Sequence, residues 1–208
     1  VVESLHFPLR SAFLALPLEG QAKWQFQALQ EALKPYEESM RFQHPQTPHL
    51  TLFFWSEVLE LEYEEIVKQA EKIASAAQPF TLKVTNAATF GDPPSPRTAG
   101  LRGASPTLHS ALRGASRGED RTLYLDVAFS PELASVKKSC PWSEGRPFRP
   151  HITLARIRHP QRFHVWKKKV MKAVEGALFD ISVDRLRLYA EIDGRKQTPL
   201  EDFPFGLR

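Results

Sequence analysis

The sequence predicts an α+β protein of two related lobes, each a small, mainly antiparallel sheet flanked by helices, with the active site in the groove between them. Three observations predict it. One short phrase occurs twice, as Pro48-His49-Leu50-Thr51-Leu52 and Pro150-His151-Ile152-Thr153-Leu154. Strand-like alternation and helical spacing follow one another in similar order around both copies. The 208 residues, 42% hydrophobic and 25% charged, are enough to bury a proper core.

The first half opens with Ser11 to Leu16, an apolar run that reads as a buried strand ended by Pro17. Ala22, Phe26, Leu29 and Leu33 repeat at helical spacing, predicting a helix over Glu19 to Leu33 that Lys34-Pro35 stops. A polar stretch with Pro45 and Pro48 leads to the first repeated strand, His49 to Trp55. Glu57 to Ala77 is the clearest helix, since Tyr63, Ile66, Val67, Ala70, Ile73, Ala74 and Ala77 form one stripe. Phe80, Leu82 and Val84 then alternate with polar residues as in a half-buried strand.

Between about 91 and 120 the chain carries Pro93, Pro94, Pro96, Pro106 and several Gly, Ser and Arg without sustained period, which predicts a long, basic, mobile loop inserted in one bilobal domain spanning 1–208. Leu123, Leu125 and Val127 resume strand alternation, and a short helix runs from Pro131 to Lys138. The second repeated strand is Phe148 to Ile157. Phe163, Trp166, Val170, Ala173, Val174 and Ala177 give a helix over Arg162 to Ala177, with Lys167, Lys168 and Lys169 as its solvated face. Two strands follow, on Phe179, Ile181 and Val183 and on Leu186, Leu188, Ala190 and Ile192, and Asp193-Gly194 signals a turn before Phe203 and Phe205.

Composition excludes several classes. A single cysteine, Cys140, rules out a disulfide framework and a Cys-rich zinc site and suits a reduced, cytoplasmic setting. The apolar stretch Ala12 to Leu18 is too short to span a membrane, so no membrane partner is expected. Residues 1–90 hold 7 Lys+Arg against 11 Asp+Glu, while 91–208 hold 21 against 13. The basic half suits a polyanion such as RNA.

On an extended strand, each His and the Thr two residues on share one face. Two such strands facing one another would bring together His49, His151, Thr51 and Thr153. That set suits proton transfer at a phosphate, with one imidazole as base, the other as acid, and hydroxyls on the oxygens. No metal or cofactor is called for, because no Cys, Asp or Glu stands at ligand spacing near either His. His6, His44, His109, His159 and His164 read as surface residues.

The paired phrases, about a hundred residues apart, resemble those of the 2H phosphoesterase superfamily. Arg146-Pro-Phe-Arg-Pro-His-Ile-Thr-Leu-Ala-Arg156-Ile is similar to the second motif of its RNA 2′,3′-cyclic phosphodiesterases, historically called 2′-5′ RNA ligases. Ser-Ala-Phe-Leu-Ala-Leu from Ser11, Thr89-Phe90-Gly91 and the last strands match in position. The resemblance implies metal-independent opening of an RNA terminal 2′,3′-cyclic phosphate to a 2′-phosphomonoester, with 2′-5′ ligation as the reverse reaction. It makes His49 the acid and His151 the base, roles that position alone leaves exchangeable. It also implies that Thr51, Thr153 and Arg156 hold the phosphoryl oxygens and that Phe54 stacks a terminal base.

Two of these carry-overs meet a competing reading. Uninterrupted alternation from His151 through Thr153 to Ala155 would turn Arg156 away from the groove, and Phe54 reads equally well as a core aromatic. The chain also departs from the family after the first motif, where a basic residue, Phe, Leu and Gly are replaced by Phe53, Phe54, Trp55 and Ser56. The expected partner is thus RNA with a cyclic phosphate end or a small nucleotide, bound by a monomer. The alternatives are a 2H enzyme acting on small cyclic nucleotides, cyclic ADP-ribose phosphate or 2′-5′ oligoadenylate, and a non-catalytic RNA-end-binding module. Arg149 and Arg156 flank the second copy and aromatics follow the first, so the phosphate should be held from one side and a base from the other.

Overall fold

A computed structural model of the protein describes residues 5–91, 120–142, 145 and 147–206. In chain order the elements are β1 (Leu9–Pro17), α1 (Gly20–Leu33), a 3-10 turn (Lys34–Ser39), β2 (Met40–Phe42), β3 (His49–Val58), α2 (Glu60–Ala76), β4 (Phe80–Gly91), β5 (Asp120–Val127), α3 (Pro131–Ser139), β6 (His151–Ile157), α4 (Pro160–Ala173), β7 (Phe179–Val183), β8 (Arg185–Ile192) and β9 (Arg195–Pro204). The expected loop between 91 and 120 lies, apart from its two end residues, outside the described residues.

The strands run β7-β4-β5-β6-β3-β1-β8-β9, all antiparallel, with β2 added beside β6. This order is two four-stranded half-sheets, β7-β4-β5-β6 and β3-β1-β8-β9, the α+β bilobal arrangement that the sequence predicts. They meet at one bridge, Leu50 opposite Ile152. The lobes are not the two halves of the chain, however. β4, from the first half, pairs with β5, and β8, from the second, pairs with β1. Interleaving ties each lobe to both halves of the sequence.

Element ends follow local chemistry. β3 continues to Val58, so α2 begins at Glu60 rather than Glu57, where Glu62 reaches back to accept from the Leu59 N–H at 2.8 Å. Ser130 caps α3 by accepting from the Leu133 N–H at 3.2 Å, with Pro131 at the first helical position. Helix α4 begins at Pro160 and ends at Ala173, earlier at both ends than its apolar spacing predicts. β2 is too short for its alternation to register in the sequence. It forms because the edge of β6 beyond Ile152 would otherwise carry unpaired backbone groups.

Both repeated strands carry a β-bulge at the same point of the phrase. Between Leu14 and Ala15 the partner on β3 jumps from Phe53 to Thr51, making Leu52 the extra residue. Between Leu123 and Tyr124 the partner on β6 jumps from Ala155 to Thr153, making Leu154 the extra residue. Each bulged carbonyl is met by a side chain from a helix that follows a strand of the other lobe. Lys137 of α3 donates to the Leu52 oxygen, and Gln30 of α1 donates to the Leu154 oxygen at 3.2 Å and to the Gln43 oxygen at 2.8 Å.

Gln30 is buried, so its amide contributes only through these bonds. Gln30→Leu should lower unfolding stability by about 1–3 kcal/mol, the cost of buried carbonyls losing a donor. The check is a lower urea midpoint at unchanged slope, set against an exposed control on the same helix, Gln25→Leu, expected within about 0.5 kcal/mol of wild type.

Candidate active site

The Leu50–Ile152 bridge decides how the repeated residues meet. Continuing that antiparallel register by one residue each way sets His49 across from Thr153 and Thr51 across from His151. Leu50 and Ile152 point into the core, 1% and 0% exposed. The two rungs beside them therefore stand on the opposite, groove face.

Each imidazole is tied down in the same way. His49 Nδ1 lies 2.8 Å from the Thr47 carbonyl oxygen, and His151 Nδ1 lies 2.8 Å from the Arg149 carbonyl oxygen. A carbonyl oxygen only accepts, so Nδ1 carries the proton on both rings, and in the neutral form Nε2 keeps its lone pair for chemistry. Pro48 and Pro150 stand between carbonyl and ring in the two copies, and their restricted backbone favours the fold-back.

Aromatic rings hold both imidazoles. Phe13 of β1 stacks on His49 with centroids 4.5 Å apart, and Tyr189 of β8 lies 5.3 Å from it. Phe90 of β4 and Tyr124 of β5, themselves stacked at 3.9 Å, meet His151 edge-on at 5.1 and 5.5 Å. Of these four, Phe13 and Phe90 stood in short pieces that the sequence reading singled out, and Tyr189 in the last strands. None of them was assigned a place beside a histidine, and Tyr124 reads there as an ordinary strand residue. Their signal is faint, because an aromatic on the groove face and one on the core face look alike in a strand pattern.

Burial lowers the pKa of both rings. His49 falls to about 4, with the Thr47 carbonyl opposing the shift and His151 adding a like charge. His151 is half-buried and also lies below its ordinary value, chiefly by burial. The Arg149 carbonyl and Asp126 oppose that shift, and the Arg156 and Arg149 guanidiniums reinforce it. Both rings therefore favour the neutral form at pH 7.

The surrounding charge is lopsided. Arg149 covers the Phe90 and Tyr124 rings at 4.9 and 5.4 Å and reaches Asp126 only at 3.8 Å. On the other lobe Arg187, 6.0 Å from the Tyr189 ring centre, is neutralised by Asp202 and by Glu19 at 2.8 Å.

The bulges settle the two disputed positions. Arg156 and Phe54 are each five residues after their histidine, and the extra residue at Leu154 or Leu52 shifts both to the groove face. Arg156 lies opposite Thr122 and donates to its hydroxyl at 2.8 Å. Thr122 in turn shares its face with Tyr124 beside His151. The expectation from strict alternation, that Arg156 points away, is thus overturned by a bulge the sequence does not announce. Phe54 lies opposite Phe13 and is 51% exposed, so it is not a core aromatic.

The remaining histidines stay apart from this groove. His6, His44, His159 and His164 are exposed, and His109 lies outside the described residues. Among the described residues no three His, Cys, Asp or Glu stand together as a metal site. None of the described helices is long and apolar enough to cross a membrane.

Comparison with known proteins places this groove in a family. The model of the LigT-like phosphoesterases matches residues 16–99 and 130–199. An RNA 2′,3′-cyclic phosphodiesterase of Methanothermobacter thermautotrophicus is 24% identical over 177 residues, 85% of this chain and 84% of the relative. One of Bacillus subtilis is 28% identical over 145 residues, 69% of each. Among solved structures, the TT0787 protein of Thermus thermophilus superposes with a TM-score of 0.63 at 20% identity, covering 94% of this chain and 98% of that one. LigT of E. coli complexed with phosphate gives 0.60 at 20% identity, covering 96% and 99%. With most of its length matched and its fold shared, the chain belongs to the LigT-like phosphoesterases of the 2H superfamily.

Proposed function

We propose that the protein opens the 2′,3′-cyclic phosphate at the end of an RNA to a 2′-phosphomonoester, without a metal, using His49 as general acid and His151 as general base. The observation that carries this reading is the matched pair of imidazoles, each with Nδ1 bound to a carbonyl two residues back and each across a strand rung from the threonine of the other copy. The relatives named RNA 2′,3′-cyclic phosphodiesterase support the substrate class.

In the reaction, His151 Nε2 takes a proton from water as the water oxygen bonds to phosphorus. The P–O3′ bond breaks on the opposite side, and His49 returns a proton to O3′. The hydroxyls of Thr51 and Thr153 and the Arg156 guanidinium hold the charge gathered on the non-bridging oxygens. The exposed ring of Phe54 takes the terminal base by stacking. Charge supports the division of roles. Two guanidiniums beside His151 favour its neutral form, as a base needs. His49 has no such neighbour, and an anionic phosphate in the groove favours its protonated form.

Incubation with RNA ending in a 2′,3′-cyclic phosphate tests this directly. Wild type should yield the 2′-phosphate isomer, and His49→Ala and His151→Ala should each lose at least about 100-fold in kcat/KM, the low end for a general acid or base. Release of the 3′ isomer, or no turnover by wild type, would reject the reading. The pH profile is a second check. Because acid and base both titrate below 6.5 in the free protein, kcat/KM should be bell-shaped with its maximum on the acid side of pH 6.5. A rate that is flat there, or that rises into the alkaline range, contradicts the histidine pair.

A further inference from the structure

Beyond the two catalytic rungs, the same face carries a third. Arg41 of β2 lies opposite Arg156 of β6, which lies opposite Thr122 of β5. Residues opposite one another in an antiparallel pair share a face, so Arg41 stands on the groove face with Arg156. Passing along β6, the rungs read Thr51 with His151, His49 with Thr153, then Arg41 with Arg156. The third follows the second by one same-face step, roughly 7 Å, the scale of one nucleotide.

Two guanidiniums side by side repel, and among the described residues no acid is paired with either. Arg156 is held by the buried Thr122 hydroxyl at 2.8 Å, and its pKa is lowered by burial and by Arg41. Two acids on the adjoining segments are engaged elsewhere, Glu38 by Arg162 at 3.0 Å and Asp120 by Lys167 at 2.7 Å. At the other end of the groove, beyond the rung of Thr51 and His151, stands the exposed Phe54 ring. The groove thus has an aromatic end and a doubly cationic end.

We propose that Arg41 and Arg156 form the seat of a second phosphate, the 5′-phosphate of the nucleotide whose cyclic phosphate reacts. On this proposal, which rests on the reading of His49 and His151 as the reacting pair, the site prefers the end of an oligonucleotide to a lone nucleoside cyclic phosphate. Arg41 contributes the discrimination. Arg156 is shared, reaching the reacting phosphate or the next one from the same anchor on Thr122.

The test compares two product analogues that differ only in the second phosphate, adenosine 2′-monophosphate and adenosine 2′,5′-bisphosphate. Their affinities are measured by calorimetry for wild type, for Arg41→Gln and for Lys72→Gln, which removes the same charge from the outer helix α2. Wild type and Lys72→Gln should bind the bisphosphate about tenfold tighter, as one charge-assisted contact allows, and Arg41→Gln should bring that ratio close to one. The ratio of kcat/KM for adenosine 2′,3′-cyclic phosphate with and without a 5′-phosphate should follow the same pattern. A wild-type ratio near one, a ratio retained in Arg41→Gln, or an equal weakening of both ligands by Arg41→Gln each overturns the proposal. If wild type opens neither cyclic phosphate, the proposed reaction fails, while the affinity ratio still decides the seat.

Discussion

The single bridge between Leu50 and Ile152 is the constraint on which the groove depends. It lies where the two half-sheets meet; its own side chains face the core, and its neighbours, the histidines and threonines of the two phrases, face the groove. Because strand side chains alternate, burying these two residues obliges the residues on either side to face the groove. A shift of one position would turn both histidines into the core. Interleaved lobes protect that register, since β4 and β8 each cross to the partner half-sheet and neither half of the chain can slide alone.

A second constraint follows from the bulges. The extra residues Leu52 and Leu154 bend both repeated strands at the same place and re-aim the residue five positions after each histidine. A bulge takes a carbonyl out of the ladder, and a buried carbonyl without a donor is costly. Lys137 donates to the bulged carbonyl of one lobe, while that of the other accepts from both the Gln30 amide and the Gln43 N–H. The leucine that ends each phrase is therefore more than core filling. It is the residue at which the strand changes phase.

Likeness of backbone does not extend to charge. Around His151 stand Arg149 and Arg156, while around His49 the corresponding cation, Arg187, is neutralised by Asp202 and Glu19. Both imidazoles are held by a carbonyl and by aromatic rings, which fixes their orientation and strips water from them at the expense of basicity. A groove of this kind is poised for an anion.

Much of this was legible in the chain itself. The twice-written phrase, the strand and helix periods around it and the spacing of His and Thr determine two lobes of strand and helix and two imidazole–hydroxyl pairs, because period-two and period-3.6 patterns are local properties of sequence. Local pattern could not reveal which strands pair. It therefore missed the crossing of β4 and β8, the three-residue strand β2 that seats Arg41, and the aromatic pairs that enclose each histidine. It also pointed Arg156 the wrong way, since a bulge is a relation between two strands and neither strand records it alone. The sequence by itself determined which groups the protein brings to the groove. Only the tertiary structure decided which face they share, what neutralises them and what lies one rung further on, because those depend on register and on charges far apart in the chain.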